Sequence, residues 1–209
     1  MVRTLVDVYR HTGYLPDCRM SLCKGQTQGG SNADVVLVES YLKGIPGIDW
    51  DTAYEALIKD AEVQAPNWLL EGRGSLNSWK NLGYVAKDDC AGEGLCTRSI
   101  SRNVEYAYND FCIAFMAKDR DNIEDYEKYT NRSRNWLNLF REDQKSYING
   151  TDTGFTGVMQ PRLLDGSWDY QDPILCSPLL EPDSCYLNED GNETYEASAW
   201  LYTLLVLFR

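Results

Sequence analysis

Two carboxylates in this chain, Glu196 and Asp34, stand at the starts of predicted helices, where a carboxyl can do acid or hydrogen-bonding chemistry. Glu196 follows a long polar stretch and opens a predicted helix, with Tyr195 and Trp200 beside it. A carboxyl held against rings keeps its proton near neutral pH, and a protonated carboxyl can hand that proton to a leaving oxygen. The same position suits an ordinary acidic residue favoured by the positive end of a helix. Asp34 follows Gly29, Gly30, Ser31 and Asn32 at the start of another predicted helix. A carboxylate there can accept two directional, charge-assisted hydrogen bonds, as from neighbouring sugar hydroxyls. Gln28 and Asn32 are further polar groups on that approach. Trp168, in the polar run DGSWDY, offers an aromatic face on which a sugar ring could stack, or a ring that anchors its loop. Glu105 and Asp110 are five residues apart, a spacing that puts them on different helix faces and argues against a paired-carboxylate site. Tyr106 and Tyr108 read as packing or hydrogen-bonding groups.

Metal and nucleophile chemistry find less support. His11 is the only histidine among 209 residues, and none of the seven cysteines forms a Cys-x-x-Cys pair, so a zinc site is not expected. Cys90, Cys96, Cys176 and Cys185 lie in polar stretches, as disulfide partners often do. Cys112 falls in an apolar helix and is expected to be a buried thiol. The net charge of −12 repels phosphate, which excludes nucleic acid as a natural partner and disfavours an anionic membrane surface. The longest apolar run, Ala197 to Phe208, is about half of the roughly 20 residues a membrane span needs. The N-terminal MVRTLVDVYR carries charges where a signal peptide has its apolar centre, and reads as a helix beginning inside a domain. Asn-x-Ser/Thr triplets occur at Asn131, Asn149 and Asn192.

The elements that must position these groups are mainly helical. Val2, Leu5, Val6 and Tyr9 share one helix face. A polar loop follows, and Ser31 or Asn32 can cap a helix over 33–43, stopped by Gly44 and Pro46. Asp49 or Asp51 can cap the next, with Ala53, Ala56, Leu57 and Ala61 on its apolar face. Thr52 and Glu55 have capping-box spacing. Residues 66–99 read as irregular. Val104, Ala107, Tyr108, Phe111, Ala114 and Phe115 define a helix over 103–117, and another is expected over 121–140. Residues 141–192 read as loop, and a last helix begins near Thr194. The predicted class is all-α, with long loops gathered to build a pocket.

Five stretches carry a resemblance: GYLPDCRMSL (13–22), QGGSNADVVLVESYLKG (28–44), GIDWDTAYEALIKDAEV (47–63), RNVEYAYNDFCIA (102–114) and YEASAW (195–200). In this order and spacing the sequence resembles glycoside hydrolase family 92. The resemblance implies an incomplete (α/α)6 toroid, residues 1–209 forming part of a catalytic domain whose β-rich N-terminal domain and second barrel half lie outside the chain. It implies a calcium-dependent, inverting exo-α-mannosidase acting on α-mannose-containing N-glycans or mannans, with an extracellular location favoured over a cytoplasmic one. It places the general acid on Glu196 and a role in holding mannose on Asp34, with Asn32, Gln28 and Trp168 as weaker sugar-binding candidates. Calcium ligands and the general base are expected beyond Arg209. The final LLVLFR departs from the family pattern, which continues with Val-Pro and an acidic residue. The chain alone is therefore expected not to release mannose, and a non-catalytic or sugar-binding remnant is the rival reading.

Overall fold

The computed structural model describes residues 1–17, 31–94 and 96–172. Glu196, Gln28 and the predicted last helix lie outside the described residues, as do the Asn192 triplet, Cys176 and Cys185. The chain divides into two units, the first made of residues 1–76, 90–94 and 105–135, the second of 77–89, 95–104 and 136–209.

Helices build the first unit: α1 (Val2–Thr12), α2 (Asn32–Leu42), α3 (Trp50–Glu62), most of α5 (Ser99–Asp119) and α6 (Ile123–Arg132). On α1 and α3 the faces expected from the 3.6-residue period turn to the core, but on α5 the expected Tyr108, Phe111 and Phe115 are about half exposed and pack on one another, while Ile113 and Met116 are buried instead. Leu5 and Val6 of α1, Leu37 and Val38 of α2, and Ala53, Ala56, Leu57 and Ala61 of α3 join Ile113, Met116 and Tyr129 in one core. Helix ends follow local chemistry. Asp49 caps α3, accepting from the Thr52 amide at 3.2 Å and its hydroxyl at 2.8 Å. This cap starts the helix at Trp50, so a Thr52–Glu55 box has no free turn to close. Asn122 caps α6 through the Asp125 amide.

Within 66–99, α4 (Leu76–Leu82) forms where a continuous irregular stretch was expected. The segment 90–94 joins the first unit by way of Trp68, which is buried and donates its indole N–H to the Ala91 carbonyl at 3.0 Å. Gly74 and Gly94 lie against this ring so closely that a Cβ on either would fall 2.2 or 2.1 Å from it.

A second difference lies after α6. The helix ends at Arg132, a short 3-10 turn covers Asn135–Leu139, and an antiparallel hairpin follows: β1 (Phe140–Ile148) and β2 (Thr151–Met159). Residues 141–159 are thus not loop. The hairpin turns on Asn149 and Gly150, both with positive φ (49° and 77°), as a two-residue turn matching strand twist requires. Its apolar burial is at the base: Met159 packs with Leu139, Tyr84, Ala86 and Ile100 in the second unit's own core. Apart from the small, buried Ser146, the outer hairpin is exposed on both faces, so neither strand has the alternating apolar pattern that announces a strand in sequence. Among the described residues the chain is helix-rich, with this two-stranded sheet beside the helices.

Candidate functional site

The residues singled out near the start of α2 sit in a buried ionic cluster of the first unit. Ser31 occupies the N-cap position but does not cap with its side chain. Its hydroxyl lies instead 2.9 Å from Asp34 Oδ1 and 3.1 Å from Asp60 Oδ2. Two buried carboxylates outcompete the helix amides for that hydroxyl. Asn109 of α5 fixes the Ser31 backbone from both sides, its Oδ1 accepting from Ser31 N at 3.2 Å and its Nδ2 donating to Ser31 O at 3.0 Å.

From Asp34 the cluster extends as alternating charges. Arg73 donates to Asp34 Oδ2 at 2.8 Å and to Asp110 Oδ1 at 2.6 Å, and all three side chains are fully buried. Arg132 donates from Nε to Asp110 Oδ2 and from Nη1 to Glu62, both at 2.8 Å. The Tyr129 hydroxyl also donates to Glu62 at 2.9 Å. Burial alone would lower the pKa of Arg73, but the carboxylates of Asp110 and Asp34 reverse this and hold it firmly charged. Burial pushes the Asp34 carboxyl up, while Arg73 and Ser31 favour its ionised form. Asp60 is raised well above the usual range, first by burial and then by the negative charge of Asp34.

Asp34 therefore has both oxygens engaged by the protein and no exposed surface. Asn32 is different. Its side chain is exposed, and its amide and backbone N–H both donate to Asp17 Oδ1, at 2.9 and 3.2 Å. The cluster presents Asn32 outward and keeps Asp34 behind it. Asp17, Asp60, Arg73, Asp110 and Arg132 were not expected in this role. Asp110 had been set aside for its spacing from Glu105, but its partners come from other segments. Tyr106 behaves as expected, its hydroxyl accepting from Gly74 N at 3.0 Å and contacting Gly74 O at 3.2 Å, whereas Tyr108 is half exposed.

Trp168 lies in the second unit, 39% exposed, with the guanidinium of Arg162 4.9 Å from its ring centre and that of Arg141 5.8 Å away. Arg162 also packs on Tyr84 at 4.7 Å. These cation–π contacts give the ring an anchoring role in its loop. Elsewhere in the first unit, an open cleft of about 490 Å³ lies between α1 and the loop before α3. Its arginines are committed, Arg10 to Asp7 and Asp49, and Arg3 to the Gly47 carbonyl.

Among the described residues no three His, Cys, Asp or Glu side chains converge to hold a metal ion. The buried carboxylates Asp34, Asp60 and Asp110 are committed to guanidinium, hydroxyl and amide donors, so they do not fit calcium. Cys90 and Cys96 are each disulfide-bonded. Cys112 is a free, buried thiol, as expected.

Residues 1–208 match the glycosyl hydrolase family 92 catalytic domain. The chain belongs to that family. It is 56% identical over 199 residues to an "uncharacterized secreted glycosidase" of Arthroderma benhamiae, covering 94% of this chain and 25% of the relative. Among solved structures it is similar to a family 92 α-mannosidase of Bacteroides thetaiotaomicron, with a TM-score of 0.69 and 24% identity, over 99% of this chain and 23% of that one. The same enzyme in complex with mannoimidazole aligns with a TM-score of 0.60 and 24% identity, over 82% of this chain and 20% of that one. An inverting family 92 mannosidase of the same bacterium aligns with a TM-score of 0.63 and 23% identity, over 83% of this chain and 21% of that one. At these identities the structural likeness shows the fold. The chain spans about a quarter of the length of the relatives it matches. None of its described helices is long and apolar enough to cross a membrane.

Proposed function

We propose that this family 92 chain contributes part of the active site of an extracellular exo-α-mannosidase, which hydrolyses α-mannosidic bonds of N-glycans or mannans with inversion. The observation that carries the reading is the family match over residues 1–208, supported by solved relatives that are mannosidases, one of them in complex with mannoimidazole. The secreted glycosidase of Arthroderma benhamiae supports the location.

In this reading Glu196 is the general acid. An inverting glycosidase protonates the leaving oxygen with one carboxyl while a second activates water on the opposite face of the sugar. Asn32 and Gln28 supply hydrogen bonds to mannose hydroxyls, and the outward placement of Asn32 by Asp17 supports this for Asn32. Asp34 contributes by holding the start of α2 in place through Arg73 and Ser31, a role that its burial supports over direct sugar contact. The calcium ion that the family resemblance implies would take its ligands from outside the described residues. When bound, such an ion supplies charge stabilisation and orients hydroxyl oxygens.

The test compares two substrates in the enzyme carrying this chain together with the remainder of its barrel. Glu196→Gln is expected to slow hydrolysis of a mannoside with a poor leaving group by about 10²–10⁴-fold, the usual share of general acid catalysis. An activated aryl mannoside, whose leaving group needs no proton, is expected to suffer much less. Equal loss on both substrates would remove Glu196 from the acid role, and no loss on either would remove it from the site.

A further inference from the structure

The hairpin turn carries a feature that mannoside hydrolysis does not use. Asn149, Gly150 and Thr151 form an Asn-x-Thr triplet at the tip of β1–β2, and all three residues are exposed. Neither the Asn149 amide nor the Thr151 hydroxyl has a hydrogen-bond partner among the described residues. Both are available to a transferase approaching from solvent. Asn149 sits in the left-handed region, so it ends the strand and stands exposed in a two-residue turn.

The contrast with Asn131 is instructive. That triplet is interrupted by regular structure, because Asn131 lies in the last turn of α6 and Ser133 is its C-cap. The Ser133 hydroxyl is already committed to the Thr130 carbonyl at 2.8 Å. The hydroxyl two residues on, which the acceptor triplet requires, is free at Thr151 and occupied at Ser133.

The surroundings of Asn149 also suit a bulky hydrophilic group. Tyr147, Ile148 and Phe155 expose 45%, 43% and 63% of their surface on this same hairpin. Exposed apolar side chains on a protein outside the cell favour association, and a solvated glycan on the same turn screens them.

We infer that Asn149 is an N-glycosylation site of this chain, the solvent-facing hairpin turn presenting its amide and the Thr151 hydroxyl together to a lipid-pyrophosphate-linked oligosaccharide. In the transfer a bond forms between Asn149 Nδ2 and the anomeric carbon of the first sugar. The bond from that carbon to the pyrophosphate oxygen breaks, and the lipid pyrophosphate leaves with the electron pair. The amide gives up one proton to a base. The inference rests on the extracellular location proposed above.

The experiment sends the chain through the secretory route of a eukaryotic host behind a cleavable leader. The whole leader-processed pool is then digested with trypsin, so that the readout does not depend on release into the medium. The peptide Ser146–Arg162 is expected to carry a heterogeneous mass gain that a peptide-N-glycosidase removes. Thr151→Ala, which leaves the turn untouched, is expected to abolish the gain completely. Asn149→Asp, which keeps a residue tolerant of positive φ, is expected to do the same. A bare Ser146–Arg162 peptide in the leader-processed pool overturns the inference, as does glycan on Asn131 with Asn149 bare. The location is tested separately, by looking for the natural protein in culture medium: its absence there sinks the extracellular reading, while the peptide result still decides whether the turn is an acceptor.

Discussion

Replacing Asp60 with Asn should stabilise the protein near neutral pH, and increasingly so as pH rises. The Ser31 hydroxyl has one proton and lies within hydrogen-bonding distance of both Asp34 and Asp60. Asp34 faces Arg73 and is the natural ionised partner, so the 3.1 Å contact with Asp60 becomes a hydrogen bond only when Asp60 Oδ2 carries a proton. The other oxygen, Oδ1, accepts from the Leu15 amide at 3.2 Å. Asn reproduces this pattern, with Nδ2 donating to Ser31 and Oδ1 accepting from Leu15. Burial and the charge of Asp34 raise the Asp60 pKa in the folded state. The folded chain therefore binds more protons than the unfolded one, and this group's contribution to stability falls as pH rises from the unfolded value of about 3.9 toward the folded one. Asn removes that slope, worth at most about 1.4 kcal/mol per pH unit within the window. Asp60→Ala removes the slope too but leaves the buried Leu15 N–H without an acceptor, at about 1–3 kcal/mol. Urea unfolding of the three proteins between pH 4.5 and 7.5 reads the effect. The expected pattern is an Asn protein gaining on Asp60 with pH, and an Ala protein below Asn by about 1–3 kcal/mol throughout. An Asn protein that loses ground to Asp60 as pH rises would mean that Asp60 is ionised in the fold, and would refute the shared-proton geometry.

Other perturbations follow from the same structure. Arg73→Met strands Asp34 and Asp110 in the core, so thermal or urea unfolding should show a loss of about 3–5 kcal/mol, far more than the fraction of a kcal/mol expected from breaking the exposed Lys43–Glu39 pair with Lys43→Ala. Gly94→Ala drives a methyl into the Trp68 ring and should cost about 1–3 kcal/mol, with a change in near-ultraviolet dichroism from the displaced indole. Burial pushes the Cys112 thiol up to about 12, so a thiol-specific reagent at pH 8 should leave it unlabelled in the folded chain and label it on unfolding.

What the sequence announced and what it concealed divide along physical lines. Helices α1 and α3 were legible because each buries one continuous stripe, which a 3.6-residue period records directly, and α2 by its cap and its Gly44 stop; α5 was legible as a helix, but Tyr108, Phe111 and Phe115 of its apolar rhythm are about half exposed. The end of α6 was not, because Trp136, Leu137 and Phe140 continue an apolar rhythm past Arg132 although the backbone turns 3-10 and then extends. The hairpin was missed because its exposed outer half needs no alternation, although Asn149-Gly150 is a strong turn signal in its own right. In the site, Asp34 and Asn32 stood out by their Gly-rich approach, but their partners did not. Arg73 sits in an irregular stretch, and Asp110 and Arg132 look like solvated helix charges until the fold brings them together. A network of long-range ion pairs has no period for a sequence to display.

That network also ties together groups that are made at different times during synthesis. Asp34, Arg73, Asp110 and Arg132 come from four separate segments, and each interior member is neutralised only when the next has arrived. At about 5–20 residues per second, the 59 residues between Arg73 and Arg132 take about 3–12 s to emerge from a ribosome. Until then Asp110 lacks one of its two cations, and closing the core around it would bury either an excess negative charge or a carboxyl that has taken up a proton. A first unit that closed without Arg132 would leave Asp110 to share Arg73 with Asp34, one cation between two buried carboxylates.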